Sequence, residues 1–339
     1  MLSFVFRRLT FIIVVAIAIV FFVFLGMRMT RNSTAPRGDF RIASYAQTAV
    51  EDTERFLANA VQGDFGTVQL SRDRTVPVSQ VLLDTYFKSM GLLITSLILS
   101  LTIGLIVGTI ASLRQSSTAS FVLLSATVIG ISIPSFFVAM LLQVLTIKLV
   151  QRYGVRIAFA GGFGWDWRHM IFPVIVLSAR PVAYITRVTF VTLGGIFFED
   201  YIRTANAKGL SRRQVVTTHA LRNAAVPILT AGAISLRFAL GALPVVEFFF
   251  GWPGLGDRML TGIRNGEVEV VATLALALGT TFLIVNLVLD VLYRFIDPRI
   301  RDTVALGVPS YTSAADSIPT RHPVRTTTQT HYASRITPL

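Results

Sequence analysis

The chain has 339 residues, of which 53% are hydrophobic and only 14% charged. Ordinary soluble domains are about 25% charged, so a water-facing surface of this size cannot be built here and most of it must face lipid. The net charge of +13 is scattered between apolar runs rather than gathered in one patch, which argues against nucleic acid as a partner, and the absence of cysteine removes disulfides, thiolate metal sites and thiol catalysis together.

A bilayer core of about 30 Å takes about 20 apolar residues per helix. The first span, within residues 1–29, is Phe11 to Met27 behind Arg7 and Arg8. It is longer than a signal peptide's apolar stretch and no A-x-A site follows it, so it reads as a retained helix. Residues 30–89 mix both charge signs with Phe56, Leu57, Phe65 and Leu70, enough for a small folded extracytoplasmic cap. The second span, Met90 to Leu113, is uncharged and contains Gly104-x-x-x-Gly108, a spacing that lets helices approach closely. The third lies between Arg114 and Lys148 with Pro134 inside it. The fourth, about Met170 to Leu193, carries Arg180 and Arg187. The fifth, about Pro227 to Phe249, carries Arg237, and the sixth, Val270 to Leu289, is uncharged. The expected fold class is therefore all-α, a polytopic membrane protein of six helices with a five-helix core over 90–302. Residues 303–339, rich in Thr, Ser and Pro without apolar periodicity, read as a disordered tail. Six spans put both termini on one side. Cytoplasmic termini give the inner segments 11 Lys/Arg in 59 residues and the outer ones 13 in 98, a slight lean toward that orientation.

Charges inside spans have two readings each. Arg180 and Arg237 lie near the middle of their helices, where a cation costs about 2.5–3.5 kcal/mol on insertion scales. Either each is buried against a neighbouring helix, or the two form a cationic lining of a path suited to a carboxylate. Asn286 and Asp290 share a helical face at spacing four with Arg294, and read as an inter-helix polar seam.

The segment 194–226, between spans four and five, is the most informative. Asp200 to Lys208 is a short helix with its acid at the N-terminus and its lysine in the last turn, both suited to the helix dipole. Gly209 supplies the left-handed residue that stops it. Ser211-Arg212-Arg213-Gln214 is a capping box that starts a second helix, expected to reach about Ala225 before Pro227 opens span five. The result is a helix–glycine–helix elbow with five Lys/Arg. Local chemistry alone leaves open whether this elbow docks a partner or only sets topology.

The spacing of these residues resembles the EAA loop of ABC importer permeases, in the form used by the peptide/nickel family. Arg203-Thr204-Ala205 stands in place of Glu-Ala-Ala, and Gly209 follows at the required distance. Tyr201 to Leu210 matches Tyr-Ile-Arg-Thr-Ala-x-Ala-Lys-Gly-Leu, and His219 to Ala224 with Pro227 continues the pattern. Further matches are Phe6-Arg7-Arg8-Leu9, Gly63 to Gly66, Pro134-Ser135-Phe136, Glu247, Asn286, Asp290 and Asp297-Pro298-Arg299. Phe250-Gly251-Trp252-Pro253-Gly254-Leu255-Gly256 has the form of the B-type dipeptide/oligopeptide subunit. Thr34 to Phe40 stands where a Pro-Gly-Asp-Pro usually follows the first span, and Arg237 occupies a position that is usually uncharged.

The resemblance implies a type I ABC importer permease fold in a bacterial or archaeal cytoplasmic membrane. It implies a heterodimer with a homologous C-type permease, two cytoplasmic ATP-binding subunits and an extracytoplasmic substrate-binding protein, with di- or oligopeptides as cargo. It also implies that Asp200, Tyr201, Arg203, Thr204, Ala205, Lys208, Gly209, Leu210, Arg212 and Arg213 form the coupling surface toward the ATPase. Nickel chelates, opines and oligosaccharides are carried by other relatives. No catalytic residue, metal ligand or cofactor site is expected on this chain. ATP and Mg belong to the partner ATPases, because a P-loop needs a lysine after glycine and none of Lys88, Lys148 and Lys208 follows one. A membrane enzyme would need an H-E-x-x-H or similar constellation, and a secondary transporter would show inverted repeats or paired broken helices with midplane carboxylates. The sequence carries neither.

Overall fold

The computed structural model describes residues 2–31, 42–71, 74–114, 118–155 and 157–296. The tail expected over 303–339, the Thr34 to Phe40 segment and Asp297 to Arg299 lie outside the described residues. The elements are α1 (Leu2–Arg31), α2 (Ile42–Val61), β1 (Thr67–Ser71), β2 (Arg74–Pro77), α3 (Val78–Ser112), α4 (Thr118–Ser132), α5 (Ser135–Tyr153), α6 (Trp167–Ile196), α7 (Asp200–Ala207) and α8 (Arg212–Gln214). A π-helical turn, Val215–Ala220, then leads into α9 (Leu221–Phe250), α10 (Leu255–Asn265) and α11 (Val268–Ile296).

Six helices are long and apolar enough to cross a membrane: Phe6–Thr30, Val78–Ser112, Ser135–Tyr153, Trp167–Ile196, Arg212–Phe250 and Val268–Val291. They run between two ends, one bearing α2, the β1–β2 hairpin and α10, the other bearing α7. We call these the cap end and the elbow end.

The centre of the bundle is the pair α3–α6. Along α3 the buried positions Ser96, Ser100, Gly104, Gly108 and Ser112 recur every fourth residue, one face of an α-helix. Lipid tails are as apolar as leucine, so helices associate in a membrane by close packing rather than by burial alone. Gly104 lies against Ile185 and Thr186, Gly108 against Thr189 and the Thr186 carbonyl. Ser100 donates across the seam to the Ser178 carbonyl at 3.4 Å. Helix α9 packs against both α6 and α3, and a core of Leu92, Leu93, Val176, Leu177, Leu240, Leu243 and Phe250 joins all three.

Two expectations need correction. The second span starts at Val78, not Met90, so the boundary between residues 89 and 90 falls inside a helix. Asp84 and Lys88, which look like a span's flank, are an i,i+4 pair at 2.6 Å on the same helix. The third span is not one helix with a proline in it but two, α4 and α5, separated at Pro134. Proline has no N–H to continue the ladder, and here it takes an extended conformation (φ −63°, ψ 137°) that restarts the helix at Ser135. The residues before span six include an amphipathic helix, α10. The fold is all-α as expected, and the described residues add one antiparallel hairpin in which Val68 faces Val76.

The cap is folded onto the bundle rather than tethered to it. Phe56 of α2 packs edge-to-face on Phe24 of α1, in a cluster with Val20, Ala49 and Ala272. Val68 and Val76 of the hairpin pack with Val81, Leu255, Val270 and Leu274. The side chain of Leu70 lies outside the described ones. Arg28 and Asp52 pair across α1 and α2. Asp166 caps α6, accepting from the Arg168 amide at 3.1 Å and meeting His169 Nδ1 at 2.5 Å. The bond to His169 holds its carboxyl below the usual range.

The α3–α6 seam yields a test. A Cβ at position 108 would stand 2.6 Å from Thr189 Cβ and 2.7 Å from a backbone carbonyl, which no rotamer relieves. Gly108→Val should separate the two helices and remove most folded protein from the detergent-extracted membrane fraction. Gly26→Val on α1, where nothing lies within 4 Å, should be tolerated. Equal recovery of both variants by fluorescence-detected size exclusion would contradict the seam's role.

Candidate functional site

The elbow is built from its turns outward. Helix α6 ends at Ile196, and Glu199 (φ −69°, ψ 145°) starts α7. Eight residues are too few to be helical in water alone, so α7 needs an apolar face. Ile202 and Ala205, three apart, supply it, packing with Leu193, Val215, Ala220, Ala224 and Ile228. Gly209 then has φ +75°. The Leu210 amide donates to the Ala205 carbonyl at 3.4 Å and the Gly209 amide to the Asn206 carbonyl at 3.0 Å, the paired bonds of a Schellman turn. The capping box is present in full: Ser211 accepts from the Gln214 amide at 3.4 Å, and Gln214 Oε1 accepts from the Ser211 amide at 3.0 Å.

The elbow's second helix does not end near Ala225. From Arg212 to Phe250 the chain is continuously helical, and Pro227 sits inside α9 rather than opening it. Val216, Ala220, Ala224 and Ile228 form an unbroken buried stripe at spacing four through this region, and that stripe carries the helix across the proline. The elbow is thus α7 folded back on the first turns of span five. Arg212 ties it to a third helix, its guanidinium donating to the Leu113 carbonyl at the end of α3 at 2.9 Å.

Of the residues expected on the coupling surface, Asp200, Tyr201, Arg203, Thr204, Lys208, Leu210, Arg212 and Arg213 are exposed, whereas Ala205 faces inward. Asp200 and Arg203 make an exposed pair at 3.4 Å within α7. Beside them Ser112, Phe197, Phe198, Asn206, Leu210 and Val216 are among the residues edging a cavity of about 660 Å³.

A second cavity, of about 800 Å³, opens at the Pro134 break and is bounded by α4, α5, α6 and α9. Arg180 and Arg237 both line it. Each lies thirteen residues from the cap end of its helix, Arg180 from Trp167 and Arg237 from Phe250, about 20 Å along the axis. Their partners differ. Arg237 donates to Asp290 Oδ1 of α11 at 3.1 Å, and Arg8 of α1 holds the other oxygen of the same carboxylate at 2.9 Å. Arg180 makes no ion pair among the described residues and lies 4.4 Å from the ring centre of Phe238. Asp290 therefore makes the inter-helix link expected of it, to Arg8 and Arg237. The Asn286 amide only donates back to the Phe282 carbonyl of α11, and the Arg294 side chain lies outside the described ones.

Sequence reasoning gave Glu247 no role beyond a motif match. Its side chain is fully buried where α9 meets the cap. It accepts from Ser89 Oγ at 2.5 Å and from the Gly256 amide at 2.7 Å, and Ser89 in turn accepts from the Leu255 amide at 2.7 Å. Trp252, also fully buried, donates from Nε1 to the Lys88 carbonyl at 3.1 Å. A Cβ on Gly254 would overlap this carboxylate and stand 2.5 Å from Ser89 Oγ. The run Trp252 to Gly256 is therefore a clasp that binds α10 to α3 and α9.

Residues 86–302 match the model of the binding-protein-dependent transport system inner membrane component. The chain belongs to this family. It is a multi-pass inner-membrane permease subunit of an ABC importer. Relatives include the glutathione transport system permease protein GsiC of Escherichia coli strain K12, 32% identical over 314 residues that cover 89% of this chain and 99% of the relative. GsiC of Shigella dysenteriae serotype 1 matches with the same identity and the same cover.

The clasp can be tested by truncation. Glu247→Ala orphans the Ser89 hydroxyl and the Gly256 amide in a buried site, at about 1–3 kcal/mol for each unpaired donor. The melting temperature of the purified complex should fall clearly, and Glu247→Gln, which keeps an acceptor oxygen, should recover part of the loss. A melting curve for Glu247→Ala that overlays the unmodified protein would remove the clasp from the account.

Proposed function

We propose that this permease is the B-type half of an importer for small peptides, paired with a homologous C-type subunit and driven by two cytoplasmic ATP-binding subunits. The termini and the elbow face the cytoplasm, and the cap end receives cargo from an extracytoplasmic binding protein. The geometry of the elbow carries this reading. An eight-residue helix presents Tyr201, Arg203, Thr204 and Lys208 outward while its other face is packed on the ends of α6 and α9 and braced to α3 through Arg212. Such a helix suits a groove on a partner ATPase, a helix-in-groove contact. Closure of the ATPase pair then displaces α7, and with it the elbow ends of three spanning helices. The peptide assignment draws on the relatives named for glutathione transport, glutathione being a small peptide with two carboxylates. The lipid membrane is the fourth partner, met by the exposed apolar faces of α1, α4 and α5.

The coupling role turns on Gly209. With φ +75° and nothing within 4 Å of a Cβ built there, a side chain meets no steric obstacle, only backbone strain. Gly209→Val therefore costs on the order of 1–2 kcal/mol locally, small beside six inserted helices. The variant should insert and pair normally, yet lose most transport and most binding-protein-stimulated ATP hydrolysis in proteoliposomes. Full activity would mean that the elbow sets topology only.

Orientation is readable in the cysteine-free chain. Gln62→Cys on the cap should react with an impermeant maleimide in intact spheroplasts, and Ala207→Cys on α7 only after the membrane is breached. The reverse pattern would turn the assignment over.

A further inference from the structure

We propose that the cavity at the Pro134 break is a carboxylate-binding subsite on the translocation path, with Arg180 as its free cation and Arg237 as a cation held in position by Asp290 and Arg8. This rests on the importer reading and adds the charge class of the cargo to it: an anion, met through a free carboxylate.

Several observations converge on this cavity. Its volume, about 800 Å³, falls within the range of small-ligand sites. Its two arginines enter from different helices at matched depth, and only one is neutralised. Among the described residues Arg237 pairs with the carboxylate of Asp290 while Arg180 pairs with none, so the Arg180 side of the cavity wall carries a charge that an anionic ligand would relieve. Arg180 lies over the ring of Phe238, a cation–π contact that is compatible with donation from its N–H groups to a carboxylate.

Two further groups belong to the same space. Arg237 Nε is buried without a hydrogen-bond partner, although its guanidinium is tethered to Asp290 through another nitrogen. Buried donors are rarely left unpaired unless something outside the chain satisfies them. The break at Pro134 also brings the N-terminus of a 19-residue helix, α5, to the cavity wall at Ser135 and Phe136. The partial positive charge of that terminus adds to the two cations. Asp290 and Arg8 are positioning residues in this scheme. The carboxylate fixes where the Arg237 guanidinium sits, and Arg8 takes up the second carboxylate oxygen, so that the one negative charge of Asp290 is divided between Arg8 and Arg237.

The absence of cysteine permits a test that works whatever the cargo is. Ser132→Cys places one thiol on the cavity wall. In the assembled, nucleotide-free transporter, its reaction rates with the anionic sulfonatoethyl and cationic trimethylammonioethyl methanethiosulfonates are compared, each normalised to a free thiol in solution. The anionic reagent should be favoured by about tenfold, the scale of one or two unneutralised charges within a few ångströms. Arg180→Gln should remove most of that preference, and N-acetyl-trialanine should protect the thiol better than its C-terminal amide does. A ratio unchanged by Arg180→Gln, equal protection by acid and amide, or labelling by lipid-soluble reagents alone would each overturn the proposal. Arg237→Gln serves as the second variant, and Arg180→Gln, which breaks no ion pair, keeps the test decisive if Arg237→Gln fails to assemble. Binding-protein-stimulated ATP hydrolysis measured on the same preparation separates the two readings. Its absence sinks the importer reading and leaves the labelling ratio to stand or fall by itself.

Discussion

Five small residues at every fourth position of α3 allow α6 to lie against it with no long side chain between, and the placement of everything functional follows from that contact. In lipid there is no water to expel from between two apolar helices, so a seam must gain its stability from close van der Waals approach and from hydrogen bonds such as Ser100 to Ser178. Once α6 is fixed on α3, its cap end sets the loop whose Gly162 amide donates to the Phe250 carbonyl at 2.8 Å. Its middle sets Arg180 in the cavity wall, and its elbow end sets Leu193, on which Ile202 of α7 rests.

The rest of the design manages polar groups that have no water to turn to. Carboxylates in the interior are answered from distant parts of the chain: Glu247 by Ser89 and the turn after α9, Asp290 by arginines on two other helices. Such links are costly to leave half-made in a low-dielectric interior, which makes them specific. They fix which helices are neighbours, while the small-residue seam fixes how near they come. Among the described residues Arg180 and Arg187 of α6 have no carboxylate partner, and of the two only Arg180 lines the cavity. A cation so placed has an arrangement suited to a passing ligand rather than to stability.

The sequence made the spans and the elbow's turn chemistry legible because both are local. Length and polarity reveal a membrane helix, and Gly209 followed by a Ser211 to Gln214 capping box reveals a stop and a start in quick succession. What remained hidden depends on long-range pairing. Glu247 and Ser89 are separated by 158 residues and Arg237 and Asp290 by 53, and no local pattern joins them. The early start of α3 was masked by Asp84 and Lys88, whose charges imitate the edge of a span while pairing along one helix. Pro227 misled in the opposite way, because a proline that ends helices in water is tolerated where neighbouring helices hold the chain in place. The family match gives the architecture and the transporter class, but the balance of charge around the cavity is a property of this chain's own residues.

The central claim is that α7 moves as one body with the ends of the helices it is packed on, so that force applied to its exposed face reaches the cavity. Spin labels at Thr204→Cys on α7 and Val191→Cys on α6 measure this directly, by pulsed dipolar spectroscopy in the nucleotide-free and ATP-trapped transporter. The account predicts a narrow distance distribution that stays the same in both states, while a label on α7 moves relative to one on the partner permease. A shift of several ångströms between Thr204 and Val191 would show a hinged finger in place of a rigid elbow, and the proposed route from ATPase to cavity would be wrong.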